Sequence, residues 1–525
     1  MQHLLRHRAE RDTVALRFED RTWSWREYVA DATRTASALL GIADRSRPVH
    51  VGTLLGNTPD MLIAMAAAAL GGFTLAGINT TRRGSGLARD IATADVQILL
   101  VDDAHRPLLD VLDLPGVRVI GVEHPEWRAL LDAAGPLIPL ADAAPTDTLM
   151  LIFTSGTSGD PKAVRVPHLM PIIGASVIAD KMGVTAEDVC YLAMPLFHSN
   201  AVAAGWGVAV VAGAAMVPAT FSASRFLDDI RRYGATYMNY VGKPLAYILA
   251  TPAAPDDAHN PLRVAFGNEA ADRDIDEFAE RFGVTVLDAF GSTENAVVIG
   301  REPGTPAGSV GKGLPGVAIY HPDTVTECAT AVFDRSGALA NPDDAIGELV
   351  NTAGAGLFSG YYNDSDATDH RMRHGMFWSG DLAYRDADGW IYLAGRTADW
   401  MRVDGENIAA APVERILLRH NMISRVAVYA VPDEQVGDQM VAALVLRDGR
   451  VGADPLDPEA FTDFLAAQED LSTKSWPRWV RIVDDLPSTA TNKILTRVLR
   501  GDGLPPGGTV WERAERGHTY AERQK

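Results

Sequence analysis

Thr154-Ser155-Gly156-Thr157-Ser158-Gly159-Asp160-Pro161-Lys162 follows the apolar run Leu-Met-Leu-Ile-Phe at 149–153. An apolar strand that empties into a Gly/Ser/Thr loop offers backbone N–H groups and hydroxyls to an anion, with little side-chain bulk in the way. Lys162 adds a point charge suited to phosphate. A Walker A loop is excluded, because Pro161 stands five residues after Gly156 and no Gly-Lys-Ser/Thr closes the pattern. On this stretch alone an ordinary Ser/Gly surface loop remains an equal alternative.

Around that loop, a chain of 525 residues has room for more than one domain and an ample core. Its formal net charge of −20 argues against a broad nucleic-acid surface, so anionic ligands must be held by local groups. Lysine is scarce beside arginine, so each lysine kept hints that a compact ammonium is wanted there; Lys162 and Lys493 are among the few. The cysteines, Cys190 and Cys328, show no metal-ligand spacing or disulfide framework and read as thiols of a reducing compartment. The N-terminus is charged at once and carries no signal-peptide core. Two stretches mimic membrane spans, 61–79 and 189–224, but glycines break the first and Pro195, His198, Asn200 and Pro218 the second. Both read as buried core. A cytoplasmic location is expected, peripheral membrane attachment is left open, and no transmembrane segment is expected.

Upstream of the loop, the spacing predicts a helix over 22–40, a strand at 50–55, a helix at 59–70, a strand at 73–77, a helix at 83–94 and a strand at 96–101. Strands alternating with helices argue an α/β sheet with right-handed crossovers. Downstream, Tyr191-Leu-Ala-Met-Pro-Leu-Phe-His-Ser-Asn200 places His198 in an apolar neighbourhood, where a hydrogen-bonded structural histidine is the simpler reading. Strand, Gly267-Asn268-Glu269-Ala270, helix and strand fill 262–286, and Asp288-Ala289-Phe290-Gly291-Ser292-Thr293-Glu294 follows directly. An aromatic beside glycine can lie on a purine face, and a Thr–Glu pair can meet phosphate and Mg²⁺, which prefers carboxylate oxygen. Gly311-Lys-Gly-Leu-Pro-Gly316 fits G-x-G-x-x-G yet follows no apolar strand and opens no helix, so a Rossmann site is rejected there. Trp378-Ser-Gly-Asp381 offers a carboxylate suited to ribose hydroxyls, and 389–396 reads as a turn and strand ending at Arg396. From Trp400 the texture changes to a small α+β module: a helix at 412–420, strands at 425–431 and 440–447, a helix at 461–467 and a strand at 479–483. The polar loop Leu486-Pro-Ser-Thr-Ala-Thr-Asn-Lys493 precedes a helix at 494–499, and the charged tail to Lys525 carries no signal.

These stretches, in this order and over nearly the whole chain, resemble the adenylate-forming (ANL) superfamily of acyl-CoA synthetases, peptide-synthetase adenylation domains and luciferases. Within it the chain resembles AMP-forming acyl-CoA synthetases. Tyr240-Val-Gly-Lys, Phe266-Gly-Asn and Asp404-Gly-Glu-Asn are most similar to actinobacterial fatty-acid–CoA ligases and to long-chain ligases of the fatty-acid-transport-protein type. Two positions depart from the family pattern: Phe290 stands where Tyr is usual, and Asn492 where Gly is usual.

The resemblance implies an α/β fold with a large N-terminal ATP- and acyl-binding domain of α/β subdomains (1–398) and a small mobile α+β C-terminal domain (399–525). It implies MgATP-driven conversion of a carboxylic acid to acyl-AMP, then to acyl-CoA, with ATP, Mg²⁺ and CoA taking part. By the same resemblance Lys493, His198, Thr154 and Glu294 are the catalytic candidates. ATP and AMP fall to Thr154, Ser155, Gly156, Thr157, Ser158, Gly159, Lys162, Gly267, Asn268, Glu269, Asp288, Ala289, Phe290, Gly291, Ser292, Thr293, Asp381, Arg396 and Lys493. Glu294 and Thr154 are expected at Mg²⁺, Asp399 at the hinge and Gly405 at the CoA channel. The small side chains of 201–219 are expected to wall a roomy acyl pocket, which leans towards long-chain or sterol-side-chain acids. An adenylate delivered to a carrier protein or an amine, or a diazotase-type activation of nitrite, remains the alternative. The oligomeric state is not readable, a homodimer being one option.

Overall fold

The computed structural model describes residues 1–154, 161–302, 304–335, 337, 339–396, 400–403, 406–433, 437–447, 456–468, 470–471, 473–488, 494–503, 509–513 and 517–523. The chain divides into two compact units, Met1–Val298 with Ala355–Arg373, and Ile299–Gly354 with His374–Lys525.

The first unit holds two sheets. One contains β3 (His50–Leu54), β4 (Thr74–Gly77), β5 (Ile98–Val101), β6 (Arg118–Gly121), β7 (Thr148–Thr154) and β8 (Lys162–Pro167), after the hairpin β1 (Val14–Phe18) and β2 (Arg21–Ser24) that belongs to the other. Its order is β6-β5-β3-β4-β7-β8, parallel except for the final antiparallel pair. The second sheet adds β9 (Val189–Leu192), β10 (Ala215–Pro218), β11 (Tyr237–Val241), β12 (Val264–Asn268) and β13 (Thr285–Gly291), in the order β13-β12-β11-β9-β10-β1-β2. Parallel strands need helices on their faces, and the helices Trp25–Ile42 and Pro59–Gly71 supply them; both pack into one core with side chains of both sheets. Pro59–Gly71 is buried all round, which explains its membrane-like composition.

The helix expected over 22–40 begins later, at Trp25, because Arg21–Ser24 pairs with β1 as a strand. A capping box sets the start: the Glu27 amide donates to Ser24 Oγ at 3.2 Å while the Ser24 amide donates to the Glu27 carboxylate at 2.7 Å.

The expectation that 201–219 walls a roomy pocket is corrected by its packing. Ala201–Gly207 is a π-helical stretch continued by the helix Val208–Ala212 and by β10, and nearly all of it is core. Trp206 is fully buried among Met65, Leu75, Leu149, Met150 and Val202, and its indole N–H donates to the Tyr28 hydroxyl at 3.1 Å. The small residues of this stretch make room for that indole and for neighbouring helices.

The second unit holds β14 (Val298–Gly300, from Ile299 onward) paired with β15 (Lys312–Gly313), then two antiparallel-rich sheets. In the first, β16 (Val317–His321), β17 (Thr326–Glu327), β18 (Gly347–Asn351), β20 (Met376–Arg385) and β21 (Ile391–Arg396) take part, with β18 between β16 and β20 and β21 on β20, while β19 (Met372–Arg373) closes the first unit's stretch Ala355–Arg373. The second comprises β22 (Trp400–Val403), β23 (Glu406–Ala409), β24 (Ile423–Asp433), β25 (Gly437–Leu446), β26 (Trp479–Ile482), β27 (Thr509–Arg513) and β28 (Tyr520–Glu522), with helices Ala410–Leu417, Pro458–Ala466 and Thr496–Asp502. The charged tail, for which no element is expected from the sequence, supplies two strands, anchored by the buried side chains of Trp511 and Tyr520.

Candidate active site

The phosphate-type loop is the closed end of a hairpin. Thr154 and Lys162 are cross-strand partners at the last rung of β7 and β8, and Thr154 Oγ1 donates to the Lys162 carbonyl at 3.5 Å. Ser155, Gly156, Thr157, Ser158 and Gly159 lie outside the described residues. The outer edge of β8 is covered by Gly360–Tyr362: the Arg165 amide donates to Gly360 at 3.1 Å and the Tyr362 amide to Ala163 at 2.7 Å. This docking brings Tyr361 to the site. Its ring lies 5.3 Å from Lys162 Nζ, and its hydroxyl donates to Glu294 Oε1 at 2.7 Å. Arg371 Nε donates in turn to the Tyr361 oxygen at 3.4 Å. Burial and the Glu294 charge push the Tyr361 phenol well above its ordinary pKa, so it stays a donor at all working pH.

Three parallel strands end together beside this cluster's carboxylate loop. Val241 is in register with Asn268, and Gly267 with Asp288. A Cβ at Gly267 would fall inside the Tyr240 ring, so the position is glycine for packing as well as for any ligand. The Tyr240 hydroxyl donates to Asp288 Oδ2 at 3.0 Å, and the Ala270 amide reaches the same oxygen at 3.2 Å. Asp288 thus braces the turn from inside. Glu269 and Asn295, with φ of 65° and 50°, hold left-handed backbone on either side of the loop that contains Ala289, Phe290, Gly291, Ser292, Thr293 and Glu294. Non-glycine residues in that region concentrate at binding sites.

His198 follows Pro195-Leu-Phe, its ring tilted on Phe197 at 4.6 Å between centroids. Its Nε2 is enclosed and has no partner among the described residues, and burial lowers its pKa to about 4. The structural histidine expected from composition alone would be hydrogen-bonded; this one keeps a nitrogen with no partner among the described residues. The neighbouring Ser199 hydroxyl shares a hydrogen bond of 3.1 Å with Thr293, tying the histidine segment to the Glu294 loop.

In the second unit, Asp381 and Arg396 are cross-strand partners on β20 and β21. Asp381 is buried, its amide donating to Ser379 Oγ at 3.0 Å, while the preceding Gly380 amide donates to Glu348 at 2.6 Å. Lys493, Asp399 and Gly405 lie outside the described residues, but the base of the Lys493 loop is pinned by an antiparallel bridge between Ser488 and Ile494. Sequence reasoning missed Tyr361, Arg371, Tyr240 and Ser199. Tyr240 and Ser199 stood inside strings quoted above, Tyr240-Val-Gly-Lys and Tyr191–Asn200, but with no role of their own.

Among the described residues no group of three or more His, Cys, Asp or Glu side chains gathers to hold a metal. A buried carboxylate at Glu294 and a hydroxyl at Thr154 are instead the sparse, hard donor set that suits Mg²⁺ arriving with phosphates.

Comparison with known proteins settles the family. The model of the AMP-binding enzyme family matches residues 5–362, and that of the AMP-binding enzyme C-terminal domain matches 412–493. The chain belongs to the AMP-binding enzymes. It is 49% identical to a medium/long-chain-fatty-acid–CoA ligase, FadD17, of Mycobacterium marinum, over 94% of either chain. It is 43% identical to the steroid-22-oyl-CoA synthetase of Rhodococcus jostii, over 93% of this chain and 88% of that one. Its fold matches ATP-bound MatB from Rhodopseudomonas palustris with a TM-score of 0.81 at 23% identity, covering 95% and 99% of the two chains. The o-succinylbenzoate CoA synthetase of Bacillus subtilis, in complex with its acyl-adenylate, matches with 0.76 at 27% identity, covering 95% and 98%. This AMP-binding enzyme is therefore an AMP-forming acid–thiol ligase of the ANL fold, using ATP, Mg²⁺ and CoA to convert an acid to its acyl-CoA. No helix among the described residues is long and apolar enough to cross a membrane.

Proposed function

We propose that the acid is a medium- or long-chain fatty acid or a sterol-side-chain carboxylate. The observation that carries this reading is near-full-length similarity, at 49% and 43% identity, to ligases named for those two substrate classes. The carboxylate attacks the α-phosphorus of MgATP in line, giving acyl-AMP and pyrophosphate, and the CoA thiol then attacks the acyl carbon as AMP leaves. The protein positions these groups and neutralises their charge. Lys162 and residues 154–159 take the β- and γ-phosphates, Gly267–Thr293 the adenine and α-phosphate side, and Asp381 and Arg396 the nucleoside. Glu294 and Thr154 would hold Mg²⁺, which would supply positive charge against the phosphates. Neutral His198 presents its unmet nitrogen to the acid, and Lys493 neutralises carboxylate and α-phosphate as they meet. The family models end at 362 and resume at 412, which supports a junction near Asp399 and a small domain, 399–525, that turns between half-reactions to bring Gly405 to the thiol channel. We place the enzyme in the cytoplasm, with small molecules and no nucleic acid as its partners.

Mass spectrometry of products from purified enzyme, MgATP and a panel of carboxylates, with and without CoA, tests this reading. Acyl-CoA formed from C8–C18 or sterol-side-chain acids is expected; turnover confined to short or aromatic acids would reject the substrate class. Lys493→Ala is expected to abolish acyl-AMP formation while CoA capture of supplied acyl-AMP survives, and equal loss of both would reject the role of Lys493.

A further inference from the structure

Three asparagines cross the carboxyl ends of the strands in the first unit as one hydrogen-bonded line. Asn239 on β11 donates from Nδ2 to Asn200 Oδ1 at 2.7 Å, and Asn200 donates from Nδ2 to Asn268 Oδ1 at 2.8 Å. Asn268, the last residue of β12, donates from Nδ2 to the carbonyl of Ala289 on β13. The direction of this line is fixed by its far end. A peptide carbonyl only accepts, so Asn268 must turn its NH₂ to Ala289 and its oxygen to Asn200, and each earlier amide must follow suit. No flip can be made at one position alone. The near end is left with an acceptor: Asn239 is 1% exposed, and its Oδ1 is enclosed with no partner among the described residues. That oxygen lies 3.2 Å from where a Cβ on Gly205 would stand, beneath the π-helical stretch that Asn200 opens. A buried amide with half its capacity unmet is unfavourable, and an aliphatic side chain would avoid the penalty. The position keeps asparagine where only its N–H is used.

We propose that Asn239, Asn200 and Asn268 form a one-way amide relay that positions the Ala289–Glu294 loop for acyl-AMP formation, making Asn239 and Asn200 positioning residues of the reaction. The proposal rests on the adenylation reading above. Asn200 stands two residues after His198, and Ala289 opens the loop that ends at Glu294; the Ser199–Thr293 hydrogen bond ties the same two segments a second time. The relay therefore fixes the histidine that faces the acid against the carboxylate that serves the metal. It acts through Ala289 and Asn268, without touching the reacting atoms itself.

Replacing a relay amide by a carboxylate supplies the test, because aspartate keeps the shape and donates only when protonated. The full-length parent, Asn200→Asp, Asn200→Ala and Asn239→Leu are compared for the rate of acyl-AMP formation at saturating MgATP and acid, both KM values and Tm, from pH 5.5 to 8.5. At pH 8 Asn200→Asp is expected to form acyl-AMP at least tenfold more slowly, with KM for ATP within about threefold of the parent. Its rate should climb back as pH falls, since burial and a facing acceptor oxygen raise the new carboxyl's pKa. Asn200→Ala should stay slow at every pH. Asn239→Leu should lose rate while keeping its Tm. An Asn200→Asp profile parallel to the parent's, or full rate in Asn239→Leu, overturns the relay. So does a loss of rate that merely tracks a fall in Tm and a rise in both KM values. A parent that forms no acyl-AMP from any acid overturns the adenylation reading, and the relay's role with it; an active parent with unaffected variants overturns the relay alone.

Discussion

Tyr361 is the side chain that braces the proposed metal end of the site. Its hydroxyl holds one oxygen of a carboxylate that is itself only 8% exposed, and its ring faces Lys162. Tyr361→Phe keeps the ring and removes the donor. A hydrogen bond to a charged group contributes about 1.5–3 kcal/mol, so the Mg²⁺ concentration for half-maximal rate is expected to rise roughly tenfold, read from Mg²⁺ titrations of acyl-AMP formation; an unchanged midpoint would detach Tyr361 from the metal. His198 gives a second residue-scale expectation. Burial depresses its pKa to about 4, and does the same to His168, whose Nδ1 is also without a partner among the described residues. Both imidazoles are neutral in the folded chain and take up protons near pH 6.5 when unfolded. The unfolded state thus binds more protons, so the stability they contribute is whole above about pH 6.5 and is lost as pH falls towards 4. Urea midpoints should fall through that window. His168→Gln should flatten the slope, and an unchanged slope would show that its imidazole is charged when folded. The reach of sequence reading also shows at this scale. Glu294 and His198 stood out because local strings surrounded them. Tyr361 did not, because its meaning lies in a carboxylate 67 residues away.

At the scale of elements, local chemistry was legible and tertiary demand was not. The helix from Trp25 carried its own start signal in Ser24-x-x-Glu27, yet the expected helix ran back to residue 22, because the pairing of Arg21–Ser24 with β1 is a tertiary demand that periodicity does not read. The tail strands Thr509–Arg513 and Tyr520–Glu522 were hidden by their charges; each is held by one buried aromatic, which no alternation reveals. Residues 201–219 misled in the opposite sense. Smallness was read as space for a ligand when it was space for Trp206. Trp206→Ala is therefore expected to destabilise the protein by about 3–5 kcal/mol, as large-to-small aromatic core changes do, measured by urea unfolding. A loss below about 0.5 kcal/mol, within the range of surface changes, would mean that the indole is dispensable and restore this stretch as a pocket wall.

For the whole molecule, the order of motifs along the chain was enough to anticipate the family and its two-part plan, while the traffic of the chain between units was not. The backbone leaves the first unit at Val298, returns for Ala355–Arg373, and leaves again. Asp399→Pro tests the proposed turning of the small domain: single-turnover adenylation and thioester formation, assayed separately, should show one half-reaction retained and the other lost, with Tm unchanged. Near-normal turnover of both would move the hinge elsewhere. The returning excursion has a consequence during synthesis on the ribosome. It delivers Gly360–Tyr362 to the edge of β8, opposite Val164. At about 5–20 residues per second, the stretch between Val164 and Tyr361 takes roughly 10–40 s to be made. For that interval β8 stands as an unpaired strand edge on a nascent chain whose strands of the same sheet, β3–β7, have already been made, and such an edge invites pairing with a neighbouring chain. The yield of soluble enzyme should therefore depend on translation speed through residues 165–361, and on holdase chaperones at the ribosome exit, more than on the strength of any contact in the finished site.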